Sequence, residues 1–96
     1  MKADRLRYGP LMLAAVRRIE AACPGAIAWA SRQEHWWELC VSDYDFYRSE
    51  EFARIKAAYR KLMISAGGCK LIFCYAKPDA DRLYELEQAG NLVLDC

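Results

Sequence analysis

The chain has 96 residues, 55% of them hydrophobic and 28% charged, with three Trp, six Tyr and three Phe. That length fits one domain with a modest core, and that composition excludes intrinsic disorder. Fourteen Lys and Arg against 13 Asp and Glu leave a net charge of +1. This excludes a global field able to hold a nucleic-acid backbone or an anionic membrane, and it offers little repulsion against self-association.

The first ten residues, MKADRLRYGP, carry no apolar run of signal-peptide length, and nowhere do 18 apolar residues follow one another. The chain is therefore expected in the cytoplasm, with no membrane partner and with its thiols reduced. Its five cysteines, Cys23, Cys40, Cys69, Cys74 and Cys96, are odd in number and lack CxxC spacing, and His35 is the only histidine. That set argues against a zinc motif, and no metal or other cofactor is expected.

Gly9-Pro10 reads as the opening of a first helix, because proline at the first helical position loses only an amide without a helical partner. Leu11, Ala15, Val16, Ile19 and Ala22 recur at helical spacing until Cys23-Pro24-Gly25, giving a helix over 10–23. The segments AIAWAS and WWELCVS flank a short polar link and predict a hairpin of strands over 26–31 and 35–42. After the polar stretch SDYDFYRSEE, Phe52, Ile55, Tyr59, Leu62, Met63 and Ala66 mark an amphipathic helix capped by Ser49 and stopped by Gly67-Gly68. CKLIFCYA then reads as a strand buried on both faces and central in its sheet. Pro78 precedes a third helix over 79–89, with Leu83, Leu86 and Ala89 inward, and NLVLDC reads as a last strand.

The fold class that follows is α/β (α+β), one domain of order αββαβαβ. Its mixed four-stranded sheet has an N-terminal antiparallel hairpin, with the second, third and fourth strands parallel in sequential order. Helices two and three would cover the face bearing Ile27, Trp29, Trp37, Leu39, Val41, Leu71, Phe73, Tyr75, Leu92 and Leu94. The other face, with Ala26, Ala28, Ala30, Trp36, Glu38, Cys40, Lys70, Ile72, Cys74, Val93 and Asp95, is too apolar to stay wet, so helix one or a second subunit covers it.

Ligands in sheets with parallel strands bind beyond the strands' carboxyl ends. Asp43, Asp45 and Arg48 follow the second strand and Lys77 and Asp79 follow the third, so these five are the candidate ligand-binding residues. The two aspartates could share magnesium, and Lys77 or Arg48 could hold a phosphate. The competing reading has Asp45 and Asp79 cap or precede helix N-termini and makes Lys77 a solvated side chain. No nucleophile beside a general base is visible, so no catalytic residue is assigned. His35 and Glu38, three apart on a strand, point to opposite faces and cannot easily share an ion. Since Trp36 and Trp37 must also part, Trp36, Glu38 and Ile72 are the candidate interface residues.

The leading expectation is a non-enzymatic binding or assembly module, a homo-oligomer or the partner of another protein. The alternative is a small metal- or phosphate-dependent enzyme built on the acidic cluster. A weaker one is a nucleic-acid accessory protein using Arg5, Arg7, Arg17, Arg18 and Tyr8, a patch diluted by Asp4 and Glu20.

Overall fold

The computed structural model describes residues 5–94, without the side chain of Leu94. The expected placements of Asp4, Asp95, Cys96 and the Leu94 side chain lie outside the described residues. In chain order the elements are α1 (Arg5–Ala22), β1 (Ala28–Arg32), β2 (Trp36–Val41), α2 (Tyr44–Tyr47), α3 (Glu50–Ala66), β3 (Lys70–Tyr75), α4 (Ala80–Ala89) and β4 (Leu92–Leu94). The α+β class, the hairpin and the mixed four-stranded sheet are as the sequence implies.

Helix α1 starts earlier than expected. Pro10 lies inside it rather than opening it, in the second turn, where a missing amide removes one i→i−4 bond at most. Helix α3 follows its pattern except at Leu62, which is exposed: Ser49 Oγ accepts from the Phe52 amide at 3.1 Å, and Phe52, Ile55, Tyr59 and Met63 are buried. At its end the Gly67 and Gly68 amides donate to Ile64 and Met63 carbonyls at 3.2 and 2.9 Å. Gly67 has φ +149°, and a β-carbon there would collide with the Tyr8 hydroxyl of α1, so glycine is required twice over.

The strand order is β3-β2-β1-β4, which corrects the sequential arrangement. β2 pairs with β3 and β1 with β4, both parallel, around the antiparallel β1–β2 hairpin. β4 thus runs opposite to β3 at the far edge, held to β1 by the Ala30 amide on Asn91 O at 2.8 Å and by Asn91 Nδ2 on Ala28 O at 2.7 Å. β3 is an edge strand, not a central one. An apolar run reports cover on both faces of a strand, and says nothing of neighbours on both sides of it.

The pairings also correct which residues of β1 face the core. Ala28 lies opposite Val41, Ala30 opposite Leu39 and Arg32 opposite Trp37, and directly paired residues share a face. The main face therefore carries Ala28, Ala30, Trp37, Leu39, Val41, Leu71 and Phe73, against Tyr8, Met12, Val16 and Ile19 of α1 and Phe52, Ile55, Tyr59 and Met63 of α3. The small Ala28 and Ala30 let α1 lie close to the sheet, whereas Trp29 and Ile27, expected in this core, turn to the other side. Trp37 is fully buried, and its indole N–H has no partner among the described residues. That orphan costs about 1–3 kcal/mol, an amount the burial of so large a ring offsets.

Helices α1 and α3, rather than the second and third helices of the expected order, thus cover the main face. Helix α4 crosses the second face to bring the chain from β3 to β4. There Leu86 packs on the small cluster of Trp29, Cys40 and Val93. No residue of α4 is buried: Leu83 is exposed, contrary to its expected inward position, and so is Ala89. The result is three layers, two well-packed helices, the sheet, and one lightly seated helix.

Candidate functional site

The residues expected in a crevice beyond the parallel strands do not converge. The Asp43 carboxylate accepts from the Phe46 amide at 2.8 Å and caps α2, a short helix hidden in a stretch that reads as polar loop. Asp45 lies exposed in its first turn. The Asp79 carboxylate accepts from the Arg82 amide at 2.8 Å and caps α4. Asp43 interacts with Cys23, which packs on the main-face core, and so stands on that side. Lys77 and Asp79 line a polar cleft of about 200 Å³ with Trp29, Asp81, Arg82 and Glu85 on the other side.

Rings occupy the strand ends instead. Tyr75 at the end of β3 packs edge-on to Tyr44 at 5.2 Å and tilted to Tyr47 at 6.1 Å, and Arg48 sits 5.6 Å over the Tyr44 ring. Arg48 is thus held on an aromatic face rather than aimed at a phosphate site. The capping geometry carries a prediction. Asp79→Ala lowers stability by about 1 kcal/mol, as loss of an N-cap does, while Lys77→Ala stays within about 0.5 kcal/mol, both read by urea denaturation.

The second face holds the expected interface residues together. Trp36 lies opposite Lys70, Glu38 opposite Ile72 and Cys40 opposite Cys74, and Trp36, Glu38 and Ile72 are all half-buried. The Trp36 indole N–H donates to Glu38 Oε1 at 3.1 Å. α4 shelters the β1 and β4 half of this face and leaves the β2 and β3 half partly open. His35 is exposed on the hairpin turn, 3.8 Å from Glu34, apart from this group as strand geometry requires.

Within the open half a donor cluster appears that the cysteine spacing did not reveal. Glu38 Oε, Cys40 Sγ and Cys74 Sγ lie within 4.8 Å of one another. Cys40 is 7% exposed, and burial, reinforced by the neighbouring Cys74 and the Glu38 charge, pushes its thiol up to about 12. Burial and then the Glu38 charge raise Cys74 as well. Arg82 works the other way on Cys40 and lies 6.0 Å over the Trp29 ring. The signal was present in the alternation of the strands, since all three residues fall on one predicted face; what the spacing lacked was the β2–β3 register.

The outer edge of β3 is the second exposed feature. The Ala76 amide donates to the Val41 carbonyl at 3.1 Å, so by the two-residue alternation Leu71 and Phe73 turn their backbone groups away from β2. Among the described residues, the Phe73 carbonyl accepts a contact from the Tyr47 hydroxyl at 3.4 Å. Beside this edge runs a groove of about 420 Å³, floored by β3 and walled by Arg60, Met63 and Ile64 of α3. Ile64 is 71% exposed.

No family model matches this chain, and neither a curated protein nor a solved structure shows significant similarity to it. No helix among the described residues is long and apolar enough to cross a membrane.

Proposed function

We propose that this protein is a non-enzymatic assembly module that pairs with a second copy of itself through the outer edge of β3. The observation that carries the reading is the position of KLIFCY, an apolar six-residue strand, at a sheet edge. Edge strands are ordinarily protected by proline, a bulge or inward-pointing charge. β3 has no proline, and Lys70 at its start is its single charge. Such an edge is a template for strand addition, in which backbone groups supply affinity and alternate side chains supply specificity.

A second copy fits this edge better than an unrelated strand. Antiparallel pairing of β3 about a two-fold axis at Ile72 sets Leu71 against Phe73 of the partner subunit and Ile72 against its own copy. Every cross-strand position near the axis is then apolar on both sides. Net charge near zero leaves no long-range repulsion between copies. The half-buried Trp36, Glu38 and Ile72 come to lie on a face continued by the partner's sheet.

The test is sedimentation or light scattering of wild type and Ile72→Lys. The half-buried position of Ile72 tolerates lysine in the monomer, whereas at the two-fold it sets two cations face to face. Wild type is expected to be dimeric at micromolar concentration, and Ile72→Lys to weaken the dimer by about 100-fold, the effect of some 3 kcal/mol. A second variant, Ile64→Glu on the groove wall, acts in the same direction. A monomeric wild type, or a dimer indifferent to both changes, overturns the reading.

A further inference from the structure

The structure assigns a metal site to the second sheet face: Glu38, Cys40 and Cys74 bind one zinc ion per chain, leaving a fourth position open to solvent. Two thiolates and a carboxylate are donors that suit zinc, with sulfur at about 2.3 Å and oxygen at about 2.0–2.2 Å. A tetrahedral ion of those radii sets its donors roughly 3.8 Å apart. The three atoms here already lie within 4.8 Å, so rotation of side chains on a fixed backbone closes the site.

Three further features fit an ion. The donors stand on two directly paired strands, two of them at positions i and i+2 of β2 and the third opposite Cys40 on β3, so the sheet fixes their separation. Glu38 is half-buried and has no ion-pair partner among the described residues, an arrangement a bound cation resolves. Its Oε1 already accepts from the Trp36 indole, which orients the carboxylate, the role outer hydrogen bonds play around metal ligands. Cys40 is buried, but Glu38 and Cys74 are half-buried, so the cluster borders the partly open half of the face. Binding converts two thiols to thiolates and releases two protons: Zn²⁺ with two R–SH and one R–COO⁻ gives the zinc dithiolate carboxylate and 2 H⁺.

The site does not depend on pairing through β3, and its test is separate. Freshly reduced wild type is titrated with cobalt(II), whose bond to thiolate gives a charge-transfer absorption, and then with zinc, while a pH indicator counts protons. Expected are one ion per chain, about two protons released per ion, and loss of the band on adding zinc. Cys74→Ser should remove most of the thiolate absorption. Glu38→Gln should keep it but weaken binding by at least 10-fold, and Trp36→Phe by about 10-fold through loss of the orienting bond. Both Glu38 and Trp36 are half-buried, so these two variants report even if Cys74→Ser perturbs folding, which circular dichroism reveals. The double variant Cys23→Ser, Cys69→Ser should bind as wild type does. Absence of thiolate absorption at stoichiometric cobalt, or binding unaffected by Cys74→Ser, Glu38→Gln and Trp36→Phe, overturns the assignment.

Discussion

Phe52→Ala should destabilise the protein by about 3–5 kcal/mol, the range for truncating a fully buried aromatic ring. Phe52 is completely buried and lies 5.4 Å from Phe46, 5.5 Å from Tyr47 and 5.6 Å from Phe73. It thereby joins α2, α3 and β3, and each ring pair adds about 0.5–1.5 kcal/mol beyond area alone. A small domain has in total about 5–15 kcal/mol, so the variant should melt roughly 15–30 °C lower. Tyr84→Ala on α4, where the ring is 64% exposed, should stay within about 0.5 kcal/mol. Thermal melts of the two variants check the contrast; similar losses would mean that the core is not centred on α3.

The second large effect is loss of stability in alkali. Unfolded Cys40 titrates near 9, whereas in the folded chain burial, Cys74 and Glu38 push it up to about 12. Below pH 9 both states keep the proton and the thiol makes no pH-dependent difference. Above it the unfolded chain releases a proton that the folded chain holds, so stability falls as pH rises, by about 1.4 kcal/mol per unit. The loss runs from pH 9 to about 12. Cys23, Cys69 and Cys74 are raised as well, each chiefly by burial, and act in the same direction. Urea denaturation at a series of pH values, without metal, should show a steeper alkaline decline for wild type than for Cys40→Ala. Parallel declines would place Cys40 in water.

Much of this architecture is written locally. Ser49, the Phe52 to Met63 spacing and Gly67-Gly68 delimit α3 because cap, apolar stripe and stop each act within a few residues. The Trp36-Trp37 pair splits as alternation demands, Trp37 into the core and Trp36 onto the second face. That same alternation sets Glu38, Cys40 and Cys74 on one face, so the donor cluster was half legible. What hid it is register, a non-local quantity that no spacing within β2 or β3 expresses.

The errors have the same origin. AIAWAS alternates small and large residues, and either set can face the core. The close approach of α1, a contact between segments distant in sequence, selects Ala28 and Ala30 over Trp29. KLIFCY is apolar on alternate sides because α3 covers Leu71 and Phe73 while Ile72 and Cys74 border the second face; nothing in that pattern distinguishes a central strand from an edge. α2, a single turn capped by Asp43, is too short to leave a periodicity in the sequence. The same cap removed Asp43 from the expected crevice, and Asp79 went likewise to α4.

Placing an apolar strand at an open edge is the finding from which the functional reading grows, and it is tested most directly by native mass spectrometry of wild type beside Ile72→Lys. Wild type should be a dimer and the variant a folded monomer at the same concentration. A wild-type monomer, or a dimer that survives the lysine, would contradict it.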